Sequence, residues 1–187
     1  MTFEKEKKDF LTKKDKSKKG IIDKEIRPLV QLISKLPNFY TKSSCSGRIV
    51  LLKKKSDRKQ EAEWLFVKHG TVTFDEIAKT FNKLPKEDVW FKQEPLIMHV
   101  CCTSLYDANK LLKLSKNFFK RSGIIGIKKF FTLEIIGTDT MDTLIARNSK
   151  LLVSENYLRI LIQEANKKLK RNSKKIKDYY QHLKASF

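Results

Sequence analysis

The stretch from Ser154 to Leu183 limits the possible folds of this chain most. Its apolar residues Leu158, Ile162, Ala165, Leu169, Ile176, Tyr180 and Leu183 step by three, four or seven. That spacing draws one stripe along a single long helix. The remaining faces carry Lys167, Lys168, Lys170, Arg171, Lys174, Lys175 and Lys177. A helix with one apolar stripe owes its stability to burial of that stripe, so the preceding residues must form a body that covers it. With 187 residues, 40% hydrophobic and 33% charged, the chain is long and apolar enough for a globular core and too apolar to be disordered.

The preceding residues supply that body as alternating helical and extended patterns. Residues 1–19 read as a helix with a narrow apolar edge of Phe3, Phe10 and Leu11, broken by Asp15 to Gly20. Asp23 reads as the N-cap of a helix carrying Ile26, Leu29, Val30, Ile33 and Leu36, stopped at Pro37-Asn38. A strand over 48–52, a basic tip from Lys53 to Lys59 and a returning strand from Glu63 to Lys68 form a hairpin. Thr73 to Glu76 is a capping box before Ile77, Phe81 and Leu84, and Pro85 ends that helix. Val89 to Lys92 is a short strand. Leu96 to Cys102 is a near-continuous apolar strand, interrupted by His99, of the kind covered on both faces. Ser104 precedes a helix with Leu105, Ala108, Leu111, Leu112 and Phe118 or Phe119 inward, and Ile124 to Gly137 reads as one or two strands around Gly126 to Lys129. No repeat and no Pro- or Gly-rich linker divides the chain. The expected architecture is α+β: a single compact domain over 1–187, with a mixed β-sheet, helices on its faces and the long basic C-terminal helix.

Several classes of chemistry are missing from the sequence. No Gly-rich fingerprint follows a strand and no P-loop occurs, so neither a Rossmann nucleotide site nor an NTPase is signalled. Cys45, Cys101 and Cys102 have no metal-knuckle spacing, and His69, His99 and His182 are scattered, so no metal is expected and the thiols read as reduced. No apolar run is long enough to span a membrane, and the charged start is no secretory signal, so the expected compartment is the cytoplasm. Lys and Arg number 41 against 21 Asp and Glu, a net charge of +20, and this excess points to a polyanion such as RNA.

One stretch stands apart in composition. Thr41-Lys42-Ser43-Ser44-Cys45-Ser46-Gly47-Arg48 sets three serines, a thiol, a glycine and an arginine between two apolar runs. Ser and Gly favour turns, a Gly lets backbone N–H groups approach an anion, and Arg48 offers a planar fork to a carboxylate or phosphate. The expectation is a polar turn leading into the next strand. His69, Glu94 and His99 stand with it at or near strand ends, where such groups gather into a cleft.

These same pieces resemble the tRNA wybutosine-synthesizing protein 3 family, in order along nearly the whole chain. Asp15 to Gly20 with Asp23 is similar to its early D-x-S-x-K-G element, and Phe39 to Ile49 to its serine-rich hallmark. Trp64 to His69 resembles its W-x(4)-H strand, and Phe91 to Val100 its F-x-x-E-P-x-x-x-H-V strand. Ser122-Gly123-Ile124, Tyr157-Leu158 and Ala165-Asn166 resemble later elements. The departures are Lys42, Phe118-Phe119-Lys120, Leu144 and Ser34; Lys42 alone falls within the serine-rich stretch, and none touches its serines, Gly47, Arg48 or the two His strands.

The resemblance implies a fold that is not a Rossmann methyltransferase and an S-adenosylmethionine-dependent transfer of a methyl group. The acceptor is a ring nitrogen, N-4, of the tricyclic wyosine-type base beside the anticodon of phenylalanine tRNA. In-line methyl transfer is mostly a matter of positioning. The nitrogen loses a proton, so His69 or His99 is the candidate base, with Glu94 as orienter or alternative. Ser44, Ser46, Gly47 and Arg48 are the candidates for holding the carboxylate of the donor or of the modified base. Lys16, Lys18, Lys19, Lys53, Lys54, Lys55, Lys170 and Arg171 are the candidates for the phosphates of the anticodon stem-loop. Two other readings of the residues stand beside this one: a non-catalytic tRNA-binding module, and an enzyme that uses the Cys45 thiol.

Overall fold

The computed structural model describes residues 2–12, 22–54 and 62–187. Five helices are present among them: α1 (Phe3–Thr12), α2 (Arg27–Lys35), α3 (Phe74–Ala78), α4 (Leu105–Lys116) and α5 (Glu155–Ser186). The strands are β1 (Phe39–Cys45), β2 (Arg48–Lys54), β3 (Ala62–Lys68), β4 (Asp88–Glu94), β5 (Ile97–Cys102), β6 (Gly123–Ile127), β7 (Phe131–Ile136), β8 (Met141–Arg147) and β9 (Lys150–Leu151). The α+β class is as expected. The sheet is not: instead of a single mixed sheet there are two, ordered β1-β5-β7-β6 and β3-β2-β4-β8-β9, and each described pairing is antiparallel. A parallel pair needs a crossover of a dozen or more residues, whereas tight turns join β6 to β7 and β8 to β9.

The chain packs as two compact units, each with its own sheet. The first comprises Met1–Ser46, Leu96–Thr138 and Ser173–Phe187; the second comprises Gly47–Pro95 and Asp139–Asn172. In the first, β5 is central. Met98, Val100 and Cys102 face Leu29, Val30 and Ile33 of α2, Ala108 and Leu111 of α4, and Ile176, Tyr179 and Leu183 of α5, all buried. The opposite face carries Tyr40 and Cys101 beneath Phe3 of α1. The Phe3 and Tyr40 rings lie 5.3 Å apart, and the Tyr40 hydroxyl donates to Glu6 Oε1 at 2.6 Å. So β5 is covered on both faces near its end, but His99 is only part-buried.

The second unit stacks Ile49 and Leu51 of β2, Val89 and Phe91 of β4, and Ile145 and Ala146 of β8 against Ile77 of α3 and against Leu158, Ile162, Ala165 and Leu169 of α5. The expected capping box is present: the Thr73 hydroxyl accepts from the Glu76 amide, and the Glu76 carboxylate accepts from the Thr73 amide. Helix α3 then tightens into a 3-10 turn over Lys79–Lys83. The stripe of α5 is as expected as far as Leu169. Beyond it, Asn172, Ile176, Tyr179 and Leu183 are buried, and Tyr180 is only half-buried. The three-residue step from Ile176 to Tyr179, followed by four to Leu183, keeps these residues on one side of the helix.

Two local expectations are corrected. Asp23 does not cap α2, which starts at Arg27 behind Ile26 with a proline in its first turn. Its carboxylate instead accepts from the amide of Ser46 at 2.9 Å and from the Ser46 hydroxyl at 3.2 Å. The serine-rich stretch is not a turn throughout. Thr41 to Cys45 belong to β1, because the apolar β5 offers a full ladder for their backbone, and only Ser46 and Gly47 lie between β1 and β2. Strands β8 and β9 add to the elements that the pattern suggested.

Candidate functional site

The candidate residues divide between the two units. In the second, Gly47, Arg48 and Glu94 form one constellation at the start of β2. Arg48 stands directly across from Glu94 in the β2–β4 register. Its Nε donates to Glu94 Oε2 at 2.6 Å, and its guanidinium carbon lies 4.4 Å from the centre of the Trp64 ring. Carboxylate and indole together hold the guanidinium plane in one orientation, a geometry suited to bidentate recognition of a second carboxylate or a phosphate. The Arg48 side chain is 23% exposed, so it is screened from bulk water on most sides yet reachable.

Gly47 makes that arrangement possible. Its φ is +108°, a conformation that L side chains rarely adopt. A Cβ there would sit 2.9 Å from the Glu94 carbonyl oxygen and 3.2 Å from Leu169 Cδ1. Next to Glu94 is Gln93, fully buried and paired across the strands with Ile49 and Met141. Neither its amide nitrogen nor its oxygen has a hydrogen-bond partner among the described residues. His69 follows β3 directly and is part-buried.

In the first unit, Ser44 lies within β1, half-exposed, and Ser46 is buried with its amide and hydroxyl committed to Asp23. The anion held by the Ser46 amide is therefore the protein's own carboxylate. His99 stands between two partners: Ser43 Oγ lies 2.8 Å from its Nδ1, and Glu134 Oε2 lies 2.9 Å from its Nε2. Ser43 lies in the serine-rich stretch but not among its candidate ligands, and Glu134 was not singled out from the sequence. The signal for Glu134 was an acidic residue inside the mostly apolar run from Phe130 to Ile136.

The described cationic candidates lie on β2 and α5. Lys16, Lys18, Lys19 and Lys55 lie outside the described residues. Lys53 pairs with Glu63 at 2.5 Å, and Lys54 Nζ lies 5.5 Å from the Trp90 ring centre. Lys170 and Arg171 are exposed on α5, and Arg171 pairs with Asp139 at 2.8 Å. Of the thiols, Cys45 is half-buried, while Cys101 and Cys102 are buried. Burial pushes the Cys102 thiol up to about 12, which leaves it protonated and unreactive at neutral pH.

Comparison with known proteins adds a family. The family model described as Methyltransferase TYW3 matches residues 5–185. The tRNA wybutosine-synthesizing protein 3 homolog of Bos taurus is 34% identical, over 97% of this chain and 72% of its own length. The tRNA(Phe) 7-((3-amino-3-carboxypropyl)-4-demethylwyosine(37)-N(4))-methyltransferase 1 of Pyrococcus abyssi is 34% identical, over 97% of this chain and 95% of its own. Among solved structures, the PH1069 protein from Pyrococcus horikoshii superposes with a TM-score of 0.90 at 34% identity, covering 97% of this chain and 95% of that one. A hypothetical protein from Aeropyrum pernix shares the fold, with a TM-score of 0.78 at 20% identity over 87% of this chain and 98% of that one.

Proposed function

Because the chain belongs to the Methyltransferase TYW3 family, we propose that it methylates N-4 of the tricyclic wyosine-type base next to the anticodon of phenylalanine tRNA. The printed activity of the Pyrococcus abyssi relative is this one, on a base that carries an aminocarboxypropyl arm. We assign S-adenosylmethionine as the methyl donor and the cytoplasm, where tRNA is modified, as the compartment. Consistent with that compartment, no described helix is long and apolar enough to cross a membrane.

The geometric observation that carries the reading is the guanidinium of Arg48. It is oriented by Glu94 and Trp64 rather than left to sample rotamers. Donor and modified base each present an amino-acid carboxylate, and a preoriented fork binds such a group with little further loss of side-chain entropy. Bound here, S-adenosylmethionine supplies an electrophilic methyl carbon; the protein's share is to place the accepting nitrogen in line and to receive its proton. The engagement of Glu94 with Arg48 supports an orienting role for that carboxylate and leaves His69 and His99 as the candidate bases. Lys53, Lys54, Lys170 and Arg171, together with Lys16, Lys18, Lys19 and Lys55, are proposed to meet the phosphates of the anticodon stem-loop.

The deciding experiment mixes the protein with labelled S-adenosylmethionine and phenylalanine tRNA from a strain that lacks the activity, and weighs the tricyclic nucleoside by mass spectrometry. A gain of one methyl on that base is expected. Binding of the tRNA without methyl gain, using a precursor that a characterised relative does methylate, would leave a tRNA-binding module.

A further inference from the structure

A polar row crosses the sheet of the first unit. In the β1–β5 register Ser43 stands opposite His99, and in the β5–β7 register His99 stands opposite Glu134. Strand geometry alone would not put Ser43 there. Tyr40 and Ser43 are an odd number of residues apart, which in a regular strand places them on opposite faces. A register shift between Thr41 and Ser43 brings both to the face that also holds Cys101 and His99. The bulge thus aims the Ser43 hydroxyl at the imidazole.

The donors and acceptors along the row follow from valence. An ionised Glu134 carboxylate can only accept, so the His99 Nε2 that faces it at 2.9 Å carries the hydrogen. In a neutral imidazole the lone pair is then on Nδ1, and the Ser43 hydroxyl, 2.8 Å away, donates to it. The His99 and Glu134 side chains are 29% and 26% exposed, and Ser43 is exposed. The hydroxyl is therefore the end of the row most open to a ligand. Partly exposed pairs of this kind add little to stability, so the row matters for what it can do to a proton.

We propose that Ser43, His99 and Glu134 are the proton relay of the methyl transfer, an inference that rests on the function proposed above. As the ring nitrogen forms its bond to the methyl carbon, the carbon–sulfur bond breaks with its electron pair left on sulfur. The N–H bond of the acceptor breaks as well, and that proton passes to Ser43 Oγ while the Ser43 proton passes to His99 Nδ1. The hydroxyl ends as it began, and the proton ends on the imidazole, whose new charge faces the Glu134 carboxylate. Serine fits this place because a hydroxyl takes up a proton readily only while it gives one away. Ser43 touches the reacting nitrogen. Glu134 acts through His99 and is a positioning residue, holding the tautomer that leaves Nδ1 open to accept.

Two measurements test the relay. Heteronuclear NMR of the isotope-labelled protein, under conditions where the His99 ring is neutral, reads its tautomer directly. The Nε2–H form is expected in the wild type, and a mixture in Glu134→Leu. Single-turnover methyl transfer is then followed in Ser43→Ala, a substitution at an exposed position that leaves the fold intact. A loss of about 100-fold is expected, with tRNA and donor affinities held within about threefold, and with most of the rate recovered in Ser43→Thr. An Nδ1–H tautomer in the wild type, or a Ser43→Ala rate within about threefold of wild type, overturns the relay. A wild type that transfers no methyl to a competent precursor overturns the proposed function and takes the proton role with it, even with the Nε2–H tautomer in place; that outcome is told apart by the NMR arm.

Discussion

The polar groups of the two units are assembled by the same device but to different ends. In the four-stranded sheet, Ser43, His99 and Glu134 are cross-strand neighbours joined by neutral or singly charged hydrogen bonds, and the serine end is open to solvent. In the five-stranded sheet, Arg48 and Glu94 are cross-strand neighbours of opposite charge, covered on one side by Trp64 and braced by a glycine that admits no side chain. The first arrangement is suited to passing a proton from hydroxyl to imidazole, because those two groups each hold and release hydrogen while the carboxylate only accepts. The second is not, since a guanidinium keeps its protons, but it presents a charge in one orientation. Antiparallel register brings the partners together in both cases; residue chemistry and backbone constraint decide whether the product is suited to moving a proton or to holding an anion.

Substitutions can break this comparison unit by unit. The largest effect is expected from Gly47→Ala, which combines a positive φ with a Cβ placed 2.9 Å from the Glu94 carbonyl oxygen. We expect a loss of about 3 kcal/mol, seen as a fall in Tm of roughly 6–12 °C. Ser43→Ala, in the exposed row, is expected to leave Tm within about 2 °C, because surface substitutions stay near ±0.5 kcal/mol. Next in size is Arg48→Lys, which keeps the charge and loses the fork. The kcat/KM for the methyl donor should fall about 10- to 100-fold, the worth of a hydrogen bond to a charged group, while tRNA affinity by filter binding stays unchanged. An equal loss in both would move Arg48 from donor recognition to the modified base or the phosphates of the tRNA.

Acid titration sharpens the comparison through one helix cap in each unit. At α4, burial pushes the Asp107 carboxyl up, but hydrogen bonds from Ser104, Thr103 and Asn38 outweigh it and hold the group below the ordinary carboxylate range. At α3, the Lys68 ammonium and then the Thr73 amide do the same for Glu76. A folded-state value below the unfolded one contributes stability that is fully present above the unfolded value, near 4, and is lost as the pH falls through the folded value. Thermal unfolding should therefore be flat above about pH 5 and decline below about pH 4. Asp107→Asn should flatten the decline more than Glu76→Gln, because three side-chain donors converge on Asp107. A gain in stability is expected at Gln93. Its buried amide lacks a hydrogen-bond partner among the described residues, so Gln93→Met should raise Tm by roughly 2–4 °C at unchanged activity. A fall in methyl transfer instead would assign the amide to a ligand beside Glu94.

Much of this molecule could be read before folding it. The capping box at Thr73, the Ser104 cap of α4, the α5 stripe through Leu169 and the glycine in front of Arg48 all depend on residues within a turn or two of each other. The motif order that pointed to a methyltransferase family needed no structure either, since it is a property of the chain. The signals that misled were local ones with two meanings. Asp23 has the right chemistry for an N-cap and the right chemistry for holding Ser46, and the second use was taken. Serines that favour turns in isolation were drawn into β1 by the ladder that β5 offers.

What the sequence by itself determined, then, is the list of elements, the basic helix, the family and the residue types available for chemistry. Propensity, capping and periodicity act over a few residues, and family motifs are linear. The tertiary structure alone decided that the strands form two antiparallel sheets, that Glu94 stands across from Arg48, and that Ser43, His99 and Glu134 share one row. Those are matters of register between strands distant in sequence. A shift of one residue moves every side chain of a strand to its other face, and in β1 a single bulge did that for Ser43.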